Sequence, residues 1–575
     1  MTAPLQSKKR IAVIGAGASG MSAAYALSLS PEKFDVVVIE RSAYAGGMAT
    51  STDIDEEKYG ASYINDGVQG ASPVFANTFT MFETLGFFST EIGMQCSFGS
   101  GSDFWSNVFP SQVIDEFRPD IERFGKVLNI IKTFEPVFAL ISVQAMLNLF
   151  RFQPRFGEVI VFPLVALFFG TGNQTPFISS AILERVFKDP SMRLVRHPNP
   201  SNQTSHASSD LHLSAKSKFE YSSTSFLASI PSMRAFPRLS LVYSTWAKLV
   251  ESTGNVKMSL AHEVLSVKRR KNGVTINYRP VEGTDLGQQV VGPGEEMSEE
   301  FDEIIMATDA GAALKILGKD VSWMEKKVLG NVKYLWDVTI THTDLAYMKE
   351  HYVTEHSEKL NSEKREDDKE AQGQFEYAKK HFEPIYYIYS DPEDKKKIEM
   401  SFDLTLYQPQ FDGESPYGPG GTGDPASPRN AITKTTGPDS EASSQTKSEP
   451  KKHVFQTIFL DRDGSSERWT KDKIDPSEII MEKWWCQQSH RWQHYGGTVP
   501  WMMFLNGKHR TRFAGAWSIL NMHEIAIVSG FAAAYSLGAP YPFLEKDECK
   551  RLFMLYLGLA HGFRMRSSDR KGFFL

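Results

Sequence analysis

Cysteine is scarce in this chain: Cys96, Cys486 and Cys549 are the three among 575 residues. They lie far apart and form no C-x-x-C pair, so neither a zinc site built on such pairs nor a disulfide framework is expected. Excess charge is small as well, −6 from 63 basic and 69 acidic residues. With no basic stripe and no RNA-binding signature, nucleic acid is not an expected partner. Long hydrophobic runs are missing. The most apolar stretches, 136–150 and 159–169, fall short of the roughly 20 residues that span a bilayer. There is no internal repeat, no G-x-S-x-G nucleophile elbow and no second dinucleotide fingerprint, which argues against an NAD(P)H-driven reductase. The first residues contain no apolar signal core, and the ending Gly572, Phe573, Phe574, Leu575 matches no peroxisomal signal. A cytoplasmic location without a secretory signal is therefore expected, with peripheral membrane contact left open.

What is present begins at once. Lys9 to Ile14 reads as a strand, KRIAVI, and runs into Gly15, Ala16, Gly17, Ala18, Ser19 and Gly20. A helix-like stretch follows over 21–29, then a second apolar run that ends at Glu40, 20 residues past Gly20. This is G-x-G-x-x-G inside a βαβ unit. Gly15 permits the tight turn, Gly17 lets backbone approach a diphosphate, and Gly20 lets the helix pack on the sheet. The helix N-terminus turns its partial positive charge to the phosphates, and Glu40 accepts the ribose hydroxyls. The full arrangement points to dinucleotide binding.

Arg41 follows Glu40, and a second glycine pair comes soon after: Gly46, Gly47, Met48, Ala49. This stretch resembles the E-R-x(4)-G-G motif of the FAD-dependent amine oxidase and phytoene desaturase superfamily. Two further segments are similar to that family. Asp66, Gly67, Val68 and Gln69 resemble its loop beside the isoalloxazine ring. Arg512 to Trp517, with Gly515 and Ala516, and Asn521 to Gly530, with His523, Glu524 and Ile525, resemble its closing strand and helix. In the middle, 301–309 ends in the family's A-T motif at Ala307 and Thr308. The segment 256–267, with Val264, resembles the strand pair whose backbone holds the adenine. The resemblance covers about 1–90, 240–345 and 480–540, and beyond Thr308 it is nearest to a desaturase-like branch of FAD/NAD-binding proteins.

The resemblance implies an α/β fold: a Rossmann-like FAD-binding domain of the GR2 type, a mixed-sheet substrate domain and a helical cap. The expected division is FAD-binding pieces at 1–90, 240–330 and 508–545, a Phe-rich helical cap at 91–239, a substrate domain at 331–507, and a C-terminal helix or tail at 546–575. The apolar stretches of the cap read as buried helices, as a substrate tunnel, or as a monotopic membrane contact. Inserts are expected at 350–381, dense in Lys and Glu, and at 412–452, rich in Gly, Pro, Ser and Thr and expected to be disordered. The span 197–218 reads as a polar loop.

The chemistry would come from the bound FAD, whose N5 takes a hydride from a substrate carbon. Lys333 lies roughly where amine oxidases keep a lysine that holds a water near N5, and it reads equally as a surface lysine. The segment 484–497 crowds aromatics, amides and histidines before the closing motif. His494 or Tyr495 is an acid/base or orienting candidate there, with packing as the plain alternative. His490 and His494 would share one face of a helix, but without a third ligand no metal site is expected. Cys486 lies in the region where some amine oxidases attach flavin, although its neighbours do not match that attachment sequence. The paired tyrosines of an amine oxidase cage are absent, Trp517 and Asn521 standing at the closing motif. An apolar, lipid- or secondary-metabolite-like substrate with O2 as acceptor is the expectation. A redox-neutral fatty-acid double-bond isomerase, an amine oxidase and a non-catalytic flavin-bearing module remain alternatives.

Overall fold

The computed structural model describes residues 7–170, 172–188, 232–281, 295–363, 368–426 and 452–570. The opening strand Lys9–Ile14 is apolar on both faces, and its last four residues are buried. A strand of that kind belongs in the middle of a parallel sheet, and it lies third of five. The order is Val256–Ser259, Phe34–Ile39, Lys9–Ile14, Glu303–Met306, Thr511–Phe513, and each neighbouring pair is parallel. One sheet thus gathers chain segments about five hundred positions apart. Helix Ala18–Ser28 and helix His523–Leu537 pack directly against each other. Their contact is backbone-close at Gly530, where a Cβ would sit 2.0 Å from the Ser19 carbonyl oxygen. Beside this body lies an antiparallel sheet of His262–Arg270, Gly273–Pro280 and Met297–Phe301.

A second, seven-stranded sheet runs in the order Ile479–Gln488, Tyr334–His342, Phe455–Phe459, Ile398–Asp403, Tyr386–Ser390, Cys96–Phe98, Trp105–Ser106. It is mixed: Tyr386–Ser390 pairs in parallel with Cys96–Phe98, and the other neighbours are antiparallel. Cap helices Arg118–Thr133, Val143–Leu149 and Phe162–Phe169 bury their Phe, Leu, Ile and Val side chains in one core with this sheet. Among the described residues no helix is long and apolar enough to cross a membrane.

The expected inserts resolve differently. Helix Lys369–His381 buries Ala371, Phe375 and Ala378 against Phe104 and Phe109, so this charged stretch keeps an apolar face. The span 412–426 is packed rather than disordered. The Tyr417 carbonyl accepts from the Phe88 N–H at 2.9 Å, and the Tyr417 and Phe87 rings lie 5.5 Å apart. Its turns need few large apolar residues because its own backbone makes the tie. The rest of that insert, 427–451, and the loop at 197–218 lie outside the described residues.

Candidate functional site

The glycine turn adopts the geometry its residues permit. Gly15 has φ +103°, open to glycine and strained for other residues, and a Cβ there would meet the Ala307 carbonyl oxygen at 2.6 Å. A Cβ on Gly20 would lie 1.8 Å from the Gly15 carbonyl oxygen. Gly17 is the N-cap of helix Ala18–Ser28 and supplies no side-chain acceptor, and Ala18, Ser19 and Gly20 are buried. A buried helix end without a cap calls for an outside acceptor. The second glycine pair closes on the first: the Gly46 N–H donates to the Ala16 carbonyl at 2.9 Å, and a Cβ on Gly47 would stand 3.3 Å from Gly17 Cα. Glu40 ties the two loops. Its Oε2 accepts from the Ala16 N–H at 2.7 Å and its Oε1 from the Ser42 N–H at 2.8 Å. Arg41 and Met48 are exposed, Ala49 is buried and Thr308 is half-buried. Val264 sits at a bulge in the strand His262–Arg270.

The loop Asp66–Gln69 is gripped from the seven-stranded sheet. Asp66 is wholly buried. It accepts from Thr50 Oγ1 at 2.8 Å and Thr52 Oγ1 at 2.9 Å, and it is ion-paired with Lys483. A Cβ on Gly67 would lie 2.0 Å from the Met48 carbonyl oxygen and 3.1 Å from the Trp485 ring. Trp485 donates Nε1–H to Thr339 Oγ1 at 3.0 Å. Gln69 donates to Gln456 Oε1 at 2.7 Å, and Val68 packs half-buried against the main core. Sequence reasoning missed Lys483 and Gln456, and took Trp485 only as part of the aromatic segment 484–497. The one signal was Lys483 inside a strand that is otherwise half-buried. Lys333, by contrast, is exposed just ahead of Tyr334–His342; its carbonyl accepts from the Ser489 N–H at 2.8 Å. Cys486 alternates to the opposite strand face from Lys483 and Trp485, and burial followed by Asp309 and Asp337 pushes its thiol up to about 11.

At the closing motif the Gly515 N–H donates to Ser529 Oγ at 2.9 Å, and Trp517 Nε1–H donates to the Thr308 carbonyl at 2.9 Å. Ala516 starts the short turn Ala516–Ser518. Helix His523–Leu537 has Met522 as its N-cap, again without a side-chain acceptor. The His523 ring is fully engaged: Nδ1 lies 3.1 Å from Thr78 Oγ1, and Nε2 lies 2.7 Å from the Tyr243 hydroxyl. The Tyr243 ring in turn lies 3.4 Å from where a Gly46 Cβ would stand. Glu524 is spent on helix Ala76–Thr84, accepting from the Asn77 N–H at 2.9 Å and the Thr78 N–H at 2.8 Å. Ile525 is buried. The side chains of His523 and Glu524 thus serve the fold, and what this helix start keeps for a ligand is backbone N–H.

The segment after Ile479–Gln488 collects unsatisfied polar atoms. His490 precedes helix Trp492–Gly497 rather than lying on it, so it shares no helix face with His494. Neither His490 nitrogen has a hydrogen-bond partner, nor has His494 Nδ1, Ser489 Oγ or Gln488 Oε1. His494 Nε2 lies 3.1 Å from Gln488 Nε2, and the half-buried Tyr495 ring packs edge-on to His494 at 5.4 Å. Gln488, Ser489 and Asp337 border a cavity of about 10 Å³, room for one water. Burial raises the Asp337 carboxyl to about 7.

Buried imidazoles give a pH prediction. Burial pushes His490 and His561 down to about 3 and His342, His494 and His523 down to about 4. Between these values and the unfolded value of about 6.5 the unfolded chain binds more protons. Stability is therefore complete above about pH 6.5 and falls as pH drops towards 4. Asp337 and Glu399, each raised to about 7 by burial, act the opposite way over the same window. So do Glu414 and Glu524, raised by burial, and His453, raised by Asp403. With His351 also lowered by burial, six imidazoles stand against these five. Thermal unfolding followed from neutral pH to about pH 4.5 should show a falling midpoint; a flat or rising midpoint would contradict the buried, neutral imidazoles.

The family profile of an NAD(P)-binding Rossmann-like domain matches residues 13–79. No curated protein matches the chain by sequence. Solved structures match over nearly its whole length. The CLA-producing fatty acid isomerase from P. acnes has a TM-score of 0.52 at 11% identity, covering 91% of this chain and 97% of that one. Cyclohexylamine oxidase from Brevibacterium oxydans IH-35A has a TM-score of 0.52 at 12% identity, covering 92% and 100%. This chain shares its fold with these two solved structures. A putrescine oxidase variant agrees, with a TM-score of 0.50 at 12% identity over 92% of this chain and 98% of that one. The shared fold covers both the Rossmann-like sheet and the mixed seven-stranded sheet with its helices.

Proposed function

We propose that this chain is an FAD-dependent oxidoreductase that takes hydride from a carbon of an apolar, lipid- or secondary-metabolite-like substrate, with O2 as the acceptor. The observation that carries the reading is the meeting of two uncapped, buried helix starts around one glycine-lined cradle. Gly17 abuts Gly47, Gly46 abuts Tyr243, and Tyr243 bonds His523 at the second helix start. The residues fit the cofactor. The N–H groups of Ala18, Ser19 and Gly20, with Gly47 and Met48, suit a diphosphate. Glu40 uses one lone pair on each oxygen and keeps the other for ribose hydroxyls. Arg41, Val264, Ala307 and Thr308 would flank the nucleotide. Gly67, Val68, Gln69, Ala49, Gly515, Ala516 and the N–H groups of His523, Glu524 and Ile525 would meet the flavin half. FAD bound there would supply the hydride acceptor.

The protein's part is to hold and to exclude water. Lys483 and Asp66 anchor the loop Asp66–Gln69. Lys333, His494 and Tyr495 are the proposed side chains at the reacting end. His494, kept neutral by burial, accepts the Gln488 amide N–H at Nε2 and so carries its own proton on Nδ1, ready to donate. The apolar class of substrate is supported by the Phe-rich cap core, in which Phe124, Phe156 and Ile160 are buried. The same apolar cap, with the likeness to a fatty acid isomerase, supports redox-neutral double-bond migration as a second reading.

The test is the visible spectrum of the purified chain, held anaerobically with unsaturated fatty acids, polyenes and amines in turn. Bleaching with an apolar substrate and recovery in air support the oxidase reading. Moved double bonds with the flavin still oxidised support the isomerase. A chain that takes up no flavin on reconstitution sinks both. Glu40→Ala should weaken flavin retention by about tenfold or more, because it removes the ribose acceptor and frees the Ala16 and Ser42 N–H groups together.

A further inference from the structure

Large apolar side chains form a connected exposed ridge across the cap and the C-terminal region. Phe134 and Val137 follow helix Arg118–Thr133 at one-turn spacing, and Leu140 lies one turn further; they are 55%, 55% and 51% exposed. Leu140 leans on Gly496, where a Cβ would stand 2.9 Å from its Cδ2. Trp501 donates its Nε1–H to that same Gly496 carbonyl at 3.0 Å, and its ring lies 6.0 Å from Phe504. Gly562 faces Met503, with 3.6 Å between its built Cβ and the Met503 Cβ, and Phe563 follows it, exposed. Single exposed hydrophobics need no explanation, but a continuous row drawn from segments over 400 positions apart does.

Charge decides what covers it. Lys126 lies two helical turns before Phe134, Lys508 lies four residues after Phe504, and Arg564 adjoins Phe563; all three are exposed. None of these side chains is ion-paired among the described residues. Free cations beside aromatic and aliphatic side chains, on a chain whose net charge is −6, complement an anionic, apolar-edged surface. A two-fold contact between copies centred on the ridge would set the same cations face to face, which opposes self-association.

We propose that this ridge docks the protein on the surface of an anionic phospholipid bilayer, with Phe134, Trp501, Phe504 and Phe563 entering the headgroup boundary and Lys126, Lys508 and Arg564 meeting lipid phosphates. The contact lies on the membrane rather than across it, since no described helix is long and apolar enough to span. It stands independently of the flavin reading.

Flotation of the full-length protein with two vesicle types tests it, one of phosphatidylcholine alone and one with about 30% phosphatidylglycerol. The expected result is co-flotation with the anionic vesicles, reduced at least about tenfold with neutral vesicles or at high salt. Trp501→Ser with Phe504→Ser should lower anionic binding by about tenfold, and Lys508→Glu with Arg564→Glu should do the same. These positions are exposed, so thermal midpoint and flavin absorbance should match the parent and show the variants folded. No flotation with anionic vesicles, or flotation indifferent to both variants, overturns the proposal. A concentration-dependent dimer abolished by Phe504→Ser would assign the ridge to a second copy and overturn it equally.

Discussion

Gly530→Ala should leave almost no folded protein. The Cβ it adds would lie 2.0 Å from the Ser19 carbonyl oxygen, 2.2 Å from Ser22 Oγ and 2.9 Å from the Ala23 nitrogen. Two of those atoms are backbone of helix Ala18–Ser28, which is buried over nearly its whole length and anchored to the central sheet. Neither helix has room to retreat. Ordinary overpacking costs about 1–3 kcal/mol. A clash of main chain against main chain at a fixed crossing should exceed about 4 kcal/mol, a large part of a typical domain's stability. Gly373→Ala is the matched control. That glycine lies inside helix Lys369–His381 with nothing within 4 Å of its built Cβ, so alanine should stabilise by about 0.5–1 kcal/mol. Urea denaturation of the two variants checks the pair. A Gly530→Ala protein that unfolds near the parent midpoint would show that the helices do not cross as described.

Lys483→Met carries the second large effect. The Asp66 side chain is 0% exposed and that of Lys483 14%. Removing the ammonium leaves a buried carboxylate with only the Thr50 and Thr52 hydroxyls for compensation. Breaking one side of a buried pair typically costs about 3–5 kcal/mol, whereas removing both charges is far cheaper. The double variant Asp66→Asn, Lys483→Met should therefore recover much of the loss, giving a strong coupling in a double-mutant cycle. Because the pair holds the loop Asp66–Gln69 to the long strand Ile479–Gln488, the single variant should also lose flavin in step with stability. Equal stability of the single and double variants would show the pair to be solvated and the loop held by other contacts.

The parts of the site legible in the sequence are those whose signal is local. The turn from Gly15 to Gly20 lies between a strand and a helix within 20 residues, and each glycine has a steric reason readable from spacing. The helix His523–Leu537 was expected from the resemblance of 512–517 and 521–530 to a closing strand-and-helix motif, itself a short local pattern. Other expectations depended on which face a residue would take, and here spacing was a poor guide. Lys333 falls one residue before the strand and is exposed, in keeping with its reading as a surface lysine. His490 and His494 have helical spacing, yet the chain is still leaving a strand at His490. Glu524 stands in a cofactor motif, but its carboxylate caps helix Ala76–Thr84, 446 positions earlier in the chain.

By itself the sequence determined the Rossmann-like βαβ unit, the glycine pairs and the apolar character of the cap, because hydrophobic period and glycine placement act over one or two turns of chain. The tertiary structure alone decided that Lys483 meets Asp66 across 417 positions, that His523 is locked between Thr78 and Tyr243, and that Leu140, Trp501 and Phe563 share one exposed ridge. Such meetings follow from how two sheets and a cap pack. No local propensity encodes that, since each partner satisfies its own segment's pattern equally well without the other.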